Sequence, residues 1–246
     1  MFPVELGQNI SLLLIAVSAA TSFLTAAAGI GGGMVLVAVM ATVMPAHALI
    51  PVHGMVQIGS NAGRLAIMAR HVDTHVLLPF VAGALVGAGL GGIMAVQLPA
   101  GWLQLGLGCF ILYSVWGPAM GAAKRSAAVF TGVVSSFLTM FFGATGPFVA
   151  AMVKSLKLGR LEHVATQATC MSIQHLIKVV TFGLLGFAYG PYIGLIVTMI
   201  ASGFIGTLLG KRVLLKMNDQ LFHKVLSVVL SLLALRLFYQ GAQSVL

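Results

Sequence analysis

Charge is scarce in this sequence: only 7% of its 246 residues are Asp, Glu, Lys or Arg, against about 25% in soluble domains. No such residue occurs between Glu5 and Arg64, and 59% of the chain is hydrophobic. This scarcity excludes a soluble domain and predicts an all-α polytopic membrane protein whose partner is the lipid bilayer. Because a membrane helix needs about 20 apolar residues, we expect about 8 to 10 membrane segments.

Acidic residues are the rarest charged class, and each lies at the end of an apolar run or in a loop: Glu5, Asp73, Glu162 and Asp219. A chain with no carboxylate inside its spans is a poor candidate for cation coordination or a carboxylate proton relay. The two cysteines lie in apolar runs, which excludes a disulfide framework and a cysteine metal site. We therefore predict no metal and no cofactor.

Basic residues give a net charge of +9, but they are spread over several short loops. That distribution is typical of membrane topology signals and indicates no nucleic-acid partner. No nucleotide-binding motif is present, so ATP does not drive this chain directly. The sequence also lacks a buried Asp pair and a G-x-S-x-G motif, so we do not expect an enzyme. A homo-oligomer is compatible with the sequence.

A glycine-broken segment occurs twice. SFLTAAAGIGGGMV, residues 22–35, matches SFLTMFFGATGPFV, residues 136–149, at seven of fourteen positions after a shift of 114. Duplication of this kind is common in transporters. We therefore predict two repeats, 1–123 and 124–246, each with a glycine-broken, re-entrant or split segment followed by three membrane helices. The six predicted helices lie at roughly 48–69, 76–98, 101–120, 164–188, 190–209 and 221–240.

The positive-inside rule decides between two topologies. If each broken segment crosses once, the basic loops are divided between both faces. If each segment enters and returns to its own side, the basic loops share the cytoplasmic face. The second arrangement predicts inverted repeats, both termini outside, and two break tips that approach each other near the midplane.

Each broken helix restarts with unpaired N–H groups and the positive end of its dipole, which suits an anion. The substrate-binding candidates at the breaks are Gly31, Gly32, Gly33, Thr145 and Gly146. Other glycines are spaced for close helix packing, namely Gly83, Gly87, Gly91, Gly206 and Gly210.

A polar stripe follows each break. In the first repeat it contains His53, Gln57, Asn61 and Arg64, and in the second Gln167, Gln174, His175 and Lys178. Polar and charged residues inside spans normally face the bundle interior. Snorkelling towards the membrane surface is the alternative for Arg64 and Lys178. His53 and His175 are the proton-coupling candidates, although isolated histidines also serve as hydrogen-bonding residues.

The GIGGG break, the GATGP break and the polar helices after them resemble the sulfite exporter TauE/SafE family along the whole chain. The resemblance implies a multi-pass secondary transporter of the bacterial cytoplasmic (inner) membrane, with about eight spans. It implies a small anionic substrate, such as sulfite, sulfoacetate or another sulfonate. Together with the residues above, it predicts proton-coupled alternating access with Arg64 and Lys178 balancing the anion.

Two other functions remain open from the sequence. A passive anion or solute channel would also use paired re-entrant hairpins. An intramembrane redox enzyme would use His53 and His175 as haem ligands, but the sequence lacks a second facing pair of histidines, which argues against it.

Overall fold

The computed structural model of the protein describes residues 2–28, 31–117, 127–213 and 219–245. Within these ranges the regular structure is entirely helical. The ten α-helices are α1 (Gly7–Ala28), α2 (Gly32–Val43), α3 (Ala46–Met68), α4 (Leu77–Ala95), α5 (Ala100–Trp116), α6 (Ala128–Phe142), α7 (Gly146–Ser155), α8 (Arg160–Leu184), α9 (Ile193–Val213) and α10 (Asp219–Val245). The six apolar runs predicted as spans correspond to α3, α4, α5, α8, α9 and α10.

Four stretches of the described chain are long and apolar enough to cross a bilayer. They are Gly7–Ala26, Thr74–Ala95, Gly190–Gly210 and Leu226–Val245. α3 and α8 are 23 and 25 residues long and carry the polar stripes. Large apolar side chains lie exposed on the spanning helices, for example Leu85 on α4 and Leu232 on α10. Such exposure is typical of a multi-pass membrane protein.

Both predicted breaks interrupt a helix. α1 and α2, of 22 and 12 residues, are separated at Gly31, and α6 and α7, of 15 and 10 residues, at Gly143. Gly31 has φ +98° and Gly143 has φ +75°, conformations that glycine adopts far more readily than other residues. At 1.5 Å per residue, α2 and α7 are only about 18 and 15 Å long, well short of the roughly 30 Å hydrocarbon core.

Helix pairing follows the same scheme in both halves. α1 packs on α9, and α6 packs on α4; α3 contacts α9, and α8 contacts α4. α3 packs on α8, and α5 on α10. If α1–α5 are exchanged with α6–α10, these contacts map onto one another.

Glycines bring the two halves together at the α4–α6 and α1–α9 contacts. A β-carbon on Gly87 would overlap the carbonyl oxygen of Val133, and one on Gly206 would overlap that of Ala19. These backbones therefore pack at a distance that excludes any side chain. The packing role predicted for these glycines is confirmed.

We expect Gly87→Val and Gly206→Val each to destabilise the protein by at least roughly 1–3 kcal/mol, because the added methyl groups must push two helices apart. Gly89→Val is the matched control, since a β-carbon at Gly89 has no atom within 4 Å. Thermal unfolding in detergent measures the effect. Equal melting temperatures for Gly87→Val and Gly89→Val would contradict this account of the interface.

Candidate functional site

The first break meets the polar face of α3. Nε2 of His53 lies 3.1 Å from the carbonyl oxygen of Gly33 and 3.1 Å from the amide nitrogen of Gln57. Asn61 donates to the backbone carbonyl of Gln57 at 2.8 Å. His53 is fully buried, and Gln57 and Asn61 are 9% and 4% exposed. His53, Gln57 and Asn61 therefore face the interior, and His53 contacts the start of α2.

The second break meets a buried lysine. Nζ of Lys178 on α8 donates to the carbonyl oxygen of Gly143 at 3.3 Å. The hydroxyl of Thr139 donates to the same oxygen at 3.1 Å. Lys178 has no exposed surface. Snorkelling of Lys178 is therefore wrong in this structure: its ammonium group points into the protein at the tip of the break.

Lys178 reaches this position because α3 offers a glycine beside it. A β-carbon on Gly54 would lie only 2.8 Å from Cε of Lys178. Among the side chains that the structure describes, the one ion pair joins His47 and Glu5, so Lys178 has no carboxylate partner there. An ammonium group buried without a counter-ion is costly, which favours an anionic ligand at this point.

The two polar stripes meet where α3 crosses α8. The rings of His53 and His175 pack edge to face with centroids 6.1 Å apart. Both are buried, and in each the Nδ1 atom has no hydrogen-bond partner among the described residues. Such atoms are rare in folded proteins and often mark a bound ligand, ion or water. We call His53, Gly143, His175 and Lys178 the central cluster.

Gln174 fixes the start of α7 beside this cluster. Its amide nitrogen donates to the hydroxyls of Ser135 and Ser136 at 2.9 and 3.1 Å. Its amide oxygen accepts from Thr145 at 3.4 Å. The four side chains are buried. Because Gln174 is satisfied within the protein, it positions the turn at Gly143.

A vestibule of about 620 Å³ leads towards the central cluster from one end of the bundle. Its lining includes residues of the α4–α5 connection, among them Leu98, and Phe187 of the segment after α8. Its buried lining includes Ile50, Met140 and Phe182. A β-carbon on Gly143 would lie 3.4 Å from Cδ1 of Ile50. Ile50 therefore lies both in the lining of the vestibule and beside the central cluster.

The family model for the Sulfite exporter TauE/SafE matches residues 14–237 of the chain. This match spans nearly the whole sequence and includes both breaks and both polar stripes. The chain belongs to the TauE/SafE family. No curated protein and no solved structure matches it.

The predicted site residues fall into two groups in this TauE/SafE protein. Gly33, Gln57, His53, His175 and Lys178 lie at or beside the central cluster, and Thr145, Gln174 and Asn61 support it through the contacts above. Gly31 and Gly32 face elsewhere: a β-carbon on Gly31 would meet Leu226, and one on Gly32 would meet Thr21 and Thr25 of α1. The atom nearest to a β-carbon on Gly146 belongs to Met171, at 3.9 Å.

Arg64 occupies a different level of α3. Its backbone lies in the helix, and its side chain is outside the part of the chain that the structure describes. Along a continuous helix, its Cα is about 16 Å from that of His53. The backbone of Arg64 and the central cluster, which contains Lys178, therefore lie at different levels along α3.

Three hydroxyl groups of the site were missed by the sequence analysis. Ser135, Ser136 and Thr139 hold the second break in place through the hydrogen bonds given above. Two of them, Ser136 and Thr139, belong to the repeated SFLT stretch and match Ser22 and Thr25. The recurrence of Ser and Thr immediately before both breaks could have identified them as site residues.

Proposed function

We propose that this protein is a secondary transporter that moves a small sulfur-containing oxyanion across the bacterial cytoplasmic membrane. Sulfite, sulfoacetate and other sulfonates are the candidate substrates, in line with the family's name. The observation that carries the proposal is the fully buried Lys178 ammonium at the tip of a broken helix, with no carboxylate partner among the described side chains. A bound anion would neutralise this charge.

In this proposal the anion binds at the central cluster. Lys178 balances its charge, and the backbone at Gly33 and Thr145–Gly146 contributes N–H groups at the starts of α2 and α7. His53 and His175 carry the coupled proton. Arg64 is the second cation of the path, about 16 Å further along α3.

The transport cycle would be alternating access between two inverted repeats, 1–123 and 124–246. The exchangeable pairing of α1–α5 with α6–α10 supports this symmetry. The vestibule would be the outer access route, because the loops at its end carry no Lys or Arg, and the basic loops would face the cytoplasm. Ile50, Met140 and Phe182 would form the barrier that opens during the cycle.

Uptake of labelled sulfite into proteoliposomes tests the function. We expect saturable uptake that is driven by a proton gradient and absent from protein-free liposomes. Uptake that does not saturate and survives the removal of all ion gradients would instead identify a passive channel. If no sulfite enters, sulfonates and carboxylates are the next substrates to measure, and absence of uptake for all of them would refute the proposal.

Cysteine labelling tests the orientation. With Cys109 and Cys170 replaced by alanine, we expect His47→Cys in the vestibule to react with a membrane-impermeant thiol reagent added from outside. His71→Cys, beyond the other end of α3, should react only from the cytoplasmic side. The reverse pattern would invert the proposed topology.

A further inference from the structure

The central cluster contains a buried acceptor atom with no hydrogen-bond partner among the described residues. Nε2 of His53 lies 3.1 Å from the carbonyl oxygen of Gly33. A carbonyl oxygen only accepts, so this contact is a hydrogen bond when Nε2 carries the proton of a neutral ring. The amide of Gln57, 3.1 Å from the same nitrogen, fits this tautomer when its oxygen is turned towards the ring.

This tautomer determines what His53 requires of a ligand. With the proton on Nε2, Nδ1 presents a lone pair and needs a hydrogen-bond donor. Nδ1 is buried without a partner among the described residues. It faces the tip of the second break, since a β-carbon on Gly143 would lie 3.1 Å from it. Glycine at that position leaves the lone pair uncovered.

The charges around His53 limit the ligand further. From α8 it is faced by His175, with ring centroids 6.1 Å apart, and by Lys178. Its neighbours from α2, α3 and the second break are Gly33, Gln57 and Gly143, none of which titrates. Among the described side chains, one cation therefore acts at this level of the path, and it balances one negative charge.

We propose that the central cluster selects an oxyanion in its singly protonated form, such as hydrogensulfite. The remaining O–H of the anion donates to Nδ1 of His53, and an unprotonated oxygen accepts from Nζ of Lys178. The ligand then supplies the donor that His53 lacks and the single negative charge that Lys178 lacks. This inference rests on the proposed function and narrows its substrate class, because a fully ionised sulfonate has no O–H to donate.

Binding of two anions of similar shape tests this selection. Sulfite and chlorate both have three oxygens in a pyramid, but only sulfite exchanges a proton near neutral pH. At about pH 6 we expect sulfite to bind the purified protein at least roughly tenfold more tightly than chlorate. Raising the pH to about 8 should weaken sulfite binding by roughly tenfold and leave chlorate binding unchanged. The ligand-induced rise in melting temperature reports both affinities.

Two substitutions of His53 serve as a matched pair. His53→Gln keeps an amide N–H near the Nε2 position and removes the acceptor at Nδ1, whereas His53→Asn places an amide oxygen near the Nδ1 position. We expect His53→Gln to lose the preference for sulfite over chlorate and His53→Asn to retain it. If a variant fails to fold, the pH dependence of sulfite and chlorate binding to the unmodified protein still tests whether the site selects the protonated anion.

The outcomes separate this inference from the proposed function. If chlorate binds as tightly as sulfite, or if sulfite binds more tightly at the higher pH, selection of the protonated form is refuted and anion transport stands. If His53→Gln folds and keeps the preference, His53 is not the acceptor. If neither anion nor a sulfonate binds at any pH, the proposed function fails and this inference with it.

Discussion

Replacing Lys178 with methionine should abolish sulfite uptake while the fold is retained. Lys178 is the cation of the central cluster, and its Nζ atom contacts a carbonyl oxygen without a carboxylate among the described side chains. Loss of one partner of a buried ion pair costs roughly 3–5 kcal/mol. At about 1.4 kcal/mol per tenfold change, we expect uptake to fall at least about 100-fold at a fixed, low sulfite concentration.

The thermal stability of the ligand-free Lys178→Met variant should not fall, although its uptake does. In the ligand-free protein the ammonium group is buried beside a carbonyl dipole, and an apolar side chain of similar length removes the cost of burying that charge. We therefore expect the melting temperature of ligand-free Lys178→Met to equal or exceed that of the unmodified protein. A saturating anion should raise the melting temperature of the unmodified protein but not that of the variant, since ligand at about 100 times its Kd contributes about 2.7 kcal/mol.

Lys154→Met is the control for this experiment. Lys154 is an exposed lysine in the last turn of α7, so its replacement removes the same charge without touching the central cluster. Its uptake and its response to anions should match those of the unmodified protein. Normal uptake in Lys178→Met would make Lys178 a structural residue and would leave the anion without its proposed counter-ion.

The positions of the helices could be predicted from sequence because they depend on local patterns. The apolar run at roughly 48–69 became α3, Ala46–Met68, and the run at 221–240 became α10, Asp219–Val245. Both breaks were also predictable, since clustered glycines disfavour helix and recur after 114 residues. Such patterns act within a few turns of chain and need no knowledge of neighbouring helices.

The depth of Lys178 was not predictable in the same way. Helical periodicity gives the direction of a side chain around its own helix, but not which residue of another helix lies opposite. Lys178 is buried because α8 crosses α3 at Gly54, where no side chain blocks it. The same crossing brings His53 towards His175, two residues that do not occupy matching positions in the repeat. The residues that meet at the site depend on how α3 and α8, which are far apart in the sequence, are aligned along each other. The sequence pattern does not give that alignment.

Gly143→Ala should eliminate uptake for two separate reasons. Gly143 has φ +75° and ψ −34°, so an alanine there is strained by roughly 1–3 kcal/mol. Its β-carbon would also lie 3.0 Å from Cγ2 of Val37 and 3.1 Å from Nδ1 of His53. The methyl group would thus cover the acceptor atom of the central cluster and press on α2. We expect sulfite uptake near the level of protein-free liposomes, and no stabilisation by added anion.

A second glycine separates strain from occlusion. Gly7 has φ +66°, and a β-carbon there has no atom within 4 Å. Gly7→Ala should therefore lower the melting temperature by an amount comparable to Gly143→Ala, because the backbone cost is similar, but sulfite uptake should persist. If both variants lose uptake equally, backbone strain alone accounts for the effect. If both retain it, the tip of the second break lies outside the path of the anion, since a methyl group against His53 would then have no consequence for transport.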